Sequence, residues 1–155
     1  MKNTIKQQII IKKVEKNSEL SKNLIDFVEN FSWDEVKPHV LSMLQNWDFS
    51  GWESVFVACH FDKIVAMATI MKTDYYPLPH IFPWVSTIFV DENYRGNRIS
   101  QQLVDHANNY AKTLGFNATY IPTDIVGLYE KYGYEYIKDI TNYGNGTDRL
   151  YIKNL

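Results

Sequence analysis

Between residues 53 and 114 the hydrophobic period of this chain switches from two to nearly four, and that switch limits the folds open to it. Residues 53–60 (ESVFVACH), 64–73 (IVAMATIMKT) and 84–90 (WVSTIFV) are short apolar runs rich in β-branched and aromatic side chains, as strands require. Phe61-Asp62-Lys63 predicts a tight turn between the first two, and three prolines in residues 74–83 predict a loop before the third. Residues 98–114 then place Ile99, Leu103, Ala107, Tyr110, Ala111 and Leu114 on one helical face, with Gly115 suited to end the helix. Three strands in succession followed by an amphipathic helix need a sheet with at least one covered face.

The flanks extend the pattern. Residues 7–14 (QQIIIKKV) predict a short first strand, and residues 18–31 a helix with Leu20, Leu24, Phe27, Val28 and Phe31 on one side. Ser32 and Glu35 have capping-box spacing ahead of a second stripe made by Val36, Val40, Met43, Leu44 and Trp47. Pro38 is incompatible with an unbroken helix there, so it either kinks the helix or sits at its first position. After the long helix come a strand at 118–122, a short helix through Tyr132 that Thr123 or Asp124 can cap, and a terminal hairpin. The element order is β-α-α-β-β-β-α-β-α-β-β, an α/β (α+β) arrangement with a mixed sheet and helices on both faces. At 155 residues this is one domain, 1–155, and no disulfide or metal staple is needed.

Composition removes several classes of function. Sixteen Lys+Arg against eighteen Asp+Glu leave a net charge of −2, without the basic excess of a non-specific nucleic-acid binder. The single cysteine, Cys59, and four scattered histidines make neither a disulfide nor a zinc-ligand spacing. The first thirteen residues carry an apolar run of only three, too short for a signal peptide, and no stretch approaches a membrane span, so a cytoplasmic setting is expected. Neither a P-loop nor a G-x-G-x-x-G is present, which disfavours a nucleotide-binding domain of another kind.

Two windows carry chemistry. Residues 90–100, VDENYRGNRIS, link a buried-looking strand to the start of the long helix. Gly96 opens backbone conformations closed to other residues, and the free N–H groups of the turn and first helical turn make an anion-binding concavity. Arg95 and Arg98 can add charge, so the window predicts a pyrophosphate cradle; a plain surface turn is the alternative. Residues 128–134, LYEKYGY, place Tyr129 on a short helix ended by Gly133; alone, this window predicts no more than packing of Tyr129 and Tyr132 on a sheet.

Taken together the windows resemble the GNAT superfamily of acetyl-CoA-dependent N-acetyltransferases, over about residues 50–155. The family's R/Q-x-x-G-x-G/A loop reads here Arg95-Gly96-Asn97-Arg98-Ile99-Ser100, and its Tyr-x-x-x-Gly-Phe/Tyr core reads Tyr129 to Tyr134. Arg98 stands at a family glycine and Ser100 at a glycine or alanine; Ile121-Pro122-Thr123-Asp124 lacks the asparagine often found there.

The resemblance implies a mostly antiparallel mixed sheet splayed between strands 4 and 5, with acetyl-CoA as cosubstrate. It implies transfer of the acetyl group to a primary amine of a small molecule or an exposed protein amine by direct attack in a ternary complex. Cofactor contacts are expected from the Ile88, Phe89 and Val90 backbone and from Arg95, Gly96, Asn97, Arg98, Ile99 and Ser100. Tyr129 matches the tyrosine that protonates the departing thiolate. The family's glutamate base has no counterpart in the strand from Trp84, which leaves His80 as the first candidate base, followed by Asp74, Glu53 and Asp124.

The acceptor site is expected from the first two helices and the 74–83 loop. Tyr75, Tyr76, Trp84 and Asp124 are its named members, with Phe82, Trp33, Trp47 and Trp52 as further candidates for an aromatic wall that attracts a cationic amine. Core packing is the alternative, expected for Trp47, whereas Tyr75 and Tyr76 are expected at the surface or in the cleft. Expected partners are a small-molecule or peptide amine and, as an option, a second copy of the chain, with no nucleic acid, membrane or metal. A catalytically silent acyl-CoA-binding module with a regulatory role is the alternative.

Overall fold

A computed structural model describes residues 4–155; residues 1–3 of the lysine-bearing leading segment lie outside the described residues. The leading segment is less extended than its isoleucines predict. Thr4 and Gln7 form a reciprocal capping box on a one-turn helix α1 (Ile5–Gln8), and strand β1 starts only at Ile9 (Ile9–Lys13). Helix α2 (Glu19–Asn30) is capped by the Ser18 side chain, which accepts from Ser21 N–H, and buries Leu24 and Val28.

The capping box expected at Ser32 and Glu35 does not form. Helix α3 (Lys37–Asn46) starts later, with Pro38 in its first turn and no side-chain cap at Val36. The reason is steric. A helix capped at Ser32 would carry Pro38 in its interior, where it lacks a donor and clashes, whereas in the first turn its missing N–H has no intrahelical partner to lose.

Strands β2 (Ser54–His60), β3 (Lys63–Met71), β4 (Trp84–Val90), β5 (Ala118–Thr123), β6 (Glu135–Thr141) and β7 (Thr147–Asn154) join β1 in one seven-stranded sheet of order β1-β2-β3-β4-β5-β7-β6. Helix α4 (Ile99–Thr113) connects β4 to β5. Every neighbouring pair is antiparallel except β4 and β5, which run parallel.

The parallel pair is joined at one place. Trp84 registers with Tyr120, whose N–H donates to the Pro83 carbonyl at 3.0 Å. From Val85 onward β4 has no registered partner in β5, which is the expected splay. Opposite this open side, β4 is distorted. Thr69 pairs with Ser86 and Met67 with Phe89, so Thr87 and Ile88 together face Ala68 in a bulge. Thr87 has φ +50°, an outlying conformation for a β-branched residue, of the kind that costs about 1–3 kcal/mol and collects at functional sites.

Alternation along the central strands separates two cores. Phe56, Ala58, Ala66, Ala68 and Ile70 pack with Leu103, Val104 and Ala107 of α4. Val55, Val57, Cys59 and Met67 point the other way and pack with Leu24, Val28, Val40 and Leu44 of α2 and α3. Each buried Val, Leu, Ile, Phe or Met among them contributes about 1.5–3 kcal/mol, so helices are held on both faces by the sheet's own period.

Candidate active site

The start of α4 is shaped by two residues with positive φ. Gly96, at φ +85°, turns the chain after a short 3₁₀ turn (Glu92–Tyr94), and Arg98, at φ +57°, is the N-cap residue. Asp91 bonds Asn93 N–H at 2.8 Å and the Asn97 side chain bonds the Tyr94 carbonyl at 2.9 Å, which fixes the loop. The first backbone bond of the helix runs from Gln102 to Arg98. Consequently the N–H groups of residues 96–101 have no backbone acceptor among the described residues. Nothing lies within 4 Å of where a Cβ on Gly96 would be, so the turn is open to a ligand. An open row of donors at the positive end of a four-turn helix suits phosphate oxygens.

The two arginines behave differently. Arg95 folds back: its Nε donates to the Val90 carbonyl at 3.2 Å and its guanidinium lies 5.6 Å from the centre of the Phe89 ring. Arg98 is exposed and holds a backbone conformation suited to glycine. For a non-glycine residue that conformation costs roughly 1–2 kcal/mol. Arg98→Gly is therefore expected to raise unfolding free energy by about 0.5–1 kcal/mol, once the greater freedom of glycine in the unfolded chain is subtracted, as measured by urea denaturation. An unchanged or lower stability would contradict the strain assignment. The same variant titrated with acetyl-CoA shows whether the Arg98 side chain touches the cosubstrate.

The second window meets the first. Tyr129–Tyr132 is a 3₁₀ turn ended by Gly133. Thr123 and Asp124 do not cap it as expected: Thr123 Oγ1 accepts from Ile125 N–H, and the Glu130 carboxylate takes Gly127 N–H at 3.1 Å. The β5-to-turn connection is longer than one helical start, so each end is closed locally. Tyr132 reaches the cradle, its hydroxyl 2.6 Å from Ser100 Oγ. Tyr129 is 5% exposed, and its ring meets Tyr132 edge-to-face at 5.6 Å and Tyr134 at 6.4 Å. Burial pushes the Tyr129 phenol well above its ordinary pKa, with the neighbouring phenols adding to the shift.

The residues expected to bind the acceptor divide into groups. Tyr75 is 57% exposed, meets Tyr143 of the β6–β7 turn edge-to-face at 5.8 Å and accepts its N–H. Tyr76 donates to Asp148 Oδ2 at 2.6 Å and stacks on Trp84 at 5.4 Å. Trp84 is 1% exposed and backs Tyr76 from a small core with Ile140 and Leu150. Asp124 is exposed, and its charge with those of Asp148 and Asp74 adds to the effect of burial in raising the Tyr76 phenol. His80 is exposed on the loop. Asp74 is half-buried, and burial raises its carboxyl pKa above the usual range although it accepts from Tyr75 N–H. Trp52 packs edge-to-face on Phe116, which in turn meets Phe82 of the 74–83 loop at 6.2 Å, while Trp47 packs with the α2–α3 core.

A cavity of about 510 Å³ lies between α2 and the end of β4, lined by Phe27, Phe31, Phe89, Asp26, Lys63 and Asp91 among others. It contains no residue of the 74–83 loop. This cavity therefore joins α2 to the end of β4 without involving the loop.

Thr87, Asp148 and Tyr143 were not legible as site residues. Thr87 gave no signal because a β-branched residue in a strand is ordinary until its pairing is known. Asp148 and Tyr143 belong to a hairpin whose sequence shows only turn chemistry.

Among the described residues no group of three His, Cys, Asp or Glu could hold a metal ion, and no helix is long and apolar enough to cross a membrane. A search of curated proteins gives no match. Solved structures share the fold. An aminoglycoside 6′-N-acetyltransferase complexed with coenzyme A superposes with a TM-score of 0.69 at 16% identity, covering 94% of this chain and 96% of that one. The aminoglycoside 6′-N-acetyltransferase from Enterococcus faecium gives 0.71 at 17%, again covering 94% and 96%. An acetyltransferase from Streptococcus agalactiae 2603 gives 0.70 at 20%, covering 96% and 99%. The profile of the family described as "Acetyltransferase (GNAT) domain" matches residues 51–136. Because that match spans more than half of the chain and takes in β2 through the tyrosine turn, the chain belongs to the GNAT acetyltransferase family.

Proposed function

We propose that this chain, as one domain, transfers the acetyl group of acetyl-CoA to a primary amine of a small cationic molecule or an exposed protein amine, in a ternary complex. The observation that carries the proposal is the row of N–H groups from residue 96 to residue 101 without backbone acceptors, at the start of α4 and directly after the splayed strand β4. That open array fits an anionic pyrophosphate, with Gly96, Asn97, Arg98, Ile99 and Ser100 as its holders and Arg95 free to add charge once it leaves Phe89. Acetyl-CoA, when bound, supplies an acetyl group activated as a thioester. The Ile88, Phe89 and Val90 backbone flanks the opened gap and offers donors to a carbonyl oxygen there. Tyr129, kept protonated by its burial, is the group that returns a proton to sulfur.

On the acceptor side Tyr75, Tyr76 and Asp124 form a wall of aromatic and acidic character together with Asp74 and Asp148, and the buried Trp84 acts on it only by backing Tyr76. Such a wall favours a cationic amine. The amine must lose a proton before it attacks. His80 can take it at the solvent side, and Asp74 is a second candidate because burial raises its carboxyl above the usual carboxylate range. The aminoglycoside acetyltransferases of the same fold make small polyamines the first acceptors to try.

Acetyl-CoA at about 100 times its Kd is expected to stabilise the fold by about 2.7 kcal/mol, seen as a rise in melting temperature. Thiol release across a panel of amines then reads turnover. No stabilisation by acetyl-CoA or CoA would overturn the proposal. Stabilisation without thiol release on any amine would favour the silent acyl-CoA-binding module.

A further inference from the structure

Tyr129 has to be held in place while its hydroxyl stays available. Among the described residues no hydrogen bond engages its phenol, and burial and neighbouring phenols account for its shifted pKa. Its ring is instead bracketed by Tyr132 and Tyr134, each edge-to-face with it. Both brackets are themselves bonded. The Tyr134 hydroxyl lies 3.0 Å from Asn108 Oδ1 and 2.7 Å from Thr119 Oγ1, a buried network between α4 and β5. Tyr132 is tied at two points: its carbonyl accepts from Lys153 Nζ at 2.9 Å, and its hydroxyl meets Ser100 Oγ at 2.6 Å.

The last contact stands apart from the others. Ser100 lies in the first turn of α4, among the backbone donors of the cradle, and it stands where the family pattern has glycine or alanine. Neither of those residues has a side-chain oxygen to offer. We infer that the Ser100–Tyr132 hydroxyl pair is a positioning device that ties the phosphate cradle to the turn carrying Tyr129, so that occupation of the cradle also orders the proton donor. This inference rests on the proposed acetyl-CoA reading.

The mechanism is mechanical coupling through short, stiff links. Ser100 belongs to a helix whose first turn is pinned by Ile99, which is 2% exposed. Tyr132 is 8% exposed, so its ring cannot swing to another partner without repacking against Tyr129. A ligand that orders the N–H groups of residues 96–101 therefore restrains Ser100, and through it Tyr132 and the edge that fixes Tyr129. Ser100 and Tyr132 act through Tyr129 and are positioning residues.

The test is hydrogen–deuterium exchange with CoA as the probe, on the unaltered chain, Tyr132→Phe, Ser100→Ala and the double variant. In the unaltered chain CoA is expected to slow exchange at residues 96–101 and at residues 129–134. In Tyr132→Phe the protection at 96–101 is expected to persist, while that at 129–134 falls substantially. Ser100→Ala is expected to do the same, and the double variant to be no worse than either single one, as two halves of one bond require. Thiol release with acetyl-CoA and an active amine from the panel gives the second readout. Tyr132→Phe is expected to lower kcat about tenfold, the kinetic equivalent of one hydrogen bond, with KM for acetyl-CoA unchanged. If one variant does not fold, the other carries the comparison.

Undiminished protection of 129–134 together with unchanged kcat in the single variants would overturn the coupling and leave the acetyl-CoA reading intact. Additive effects in the double variant would also overturn it. Absence of protection at 96–101 in the unaltered chain would overturn the cradle reading, and the coupling with it.

Discussion

Tyr129→Phe is expected to lower turnover by about 10²–10⁴-fold, the range that a positioned general acid contributes, while acetyl-CoA affinity changes little. The substitution removes one oxygen from a ring that keeps its two aromatic neighbours, so the packing that places it survives. Stability is expected to stay within about 1 kcal/mol, because deleting a buried hydroxyl without a fixed partner forfeits no hydrogen bond.

The pH dependence follows from the direction of the shift. Burial favours the neutral phenol, so Tyr129 keeps its proton above the ordinary tyrosine value and remains a competent acid through pH 10. The folded state holds this proton more tightly than the unfolded state does. The resulting stabilisation is fully present below pH ~10 and is lost as pH rises through the raised value. Tyr134, pushed up to about 12 by burial, adds to the same alkaline loss. Steady-state thiol release from pH 7 to 10 on both proteins checks this, and wild-type turnover in Tyr129→Phe would remove the residue from the acid role.

The second large effect is expected at Gly96. Gly96→Val places a β-branched side chain at φ +85°, where no neighbour crowds it but the backbone itself is strained. That strain costs about 1–3 kcal/mol of stability if the turn keeps its shape. If the turn relaxes instead, the N–H groups lose their common aim. Losing one bond to a charged phosphate costs about 1.5–3 kcal/mol, so acetyl-CoA binding is expected to weaken roughly 10- to 150-fold. Urea denaturation and calorimetric titration separate the outcomes. A stability loss with unchanged affinity would place the pyrophosphate elsewhere.

The parts of this architecture that were legible in the sequence are those set within one element. Val85 and Phe89 reveal a strand by their company, and Leu103 and Ala107 reveal the buried face of α4 by their spacing. The cradle was legible because a glycine and an amphipathic helix start are adjacent in the chain. The start of α3 was ambiguous for a local reason, since Pro38 and the Ser32–Glu35 pair asked for different first turns and the proline prevailed. The acceptor side was harder still. Loop residues such as His80 and Tyr76 carry no period, so nothing in the sequence distinguishes the exposed histidine from the tyrosine bonded to Asp148.

By itself, then, the sequence determined the order of the strands and of the longer helices, the two-sided covering of the sheet, and the donor-rich turn ahead of α4. Each depends on backbone propensity or on a repeat of two or 3.6 residues, which neighbouring positions encode. The tertiary structure alone decided where β4 leaves β5, which residue bulges at Thr87, and that Ser100 reaches Tyr132. These are matters of register between segments far apart in the chain, where the deciding energies belong to pairings and contacts that no single segment contains.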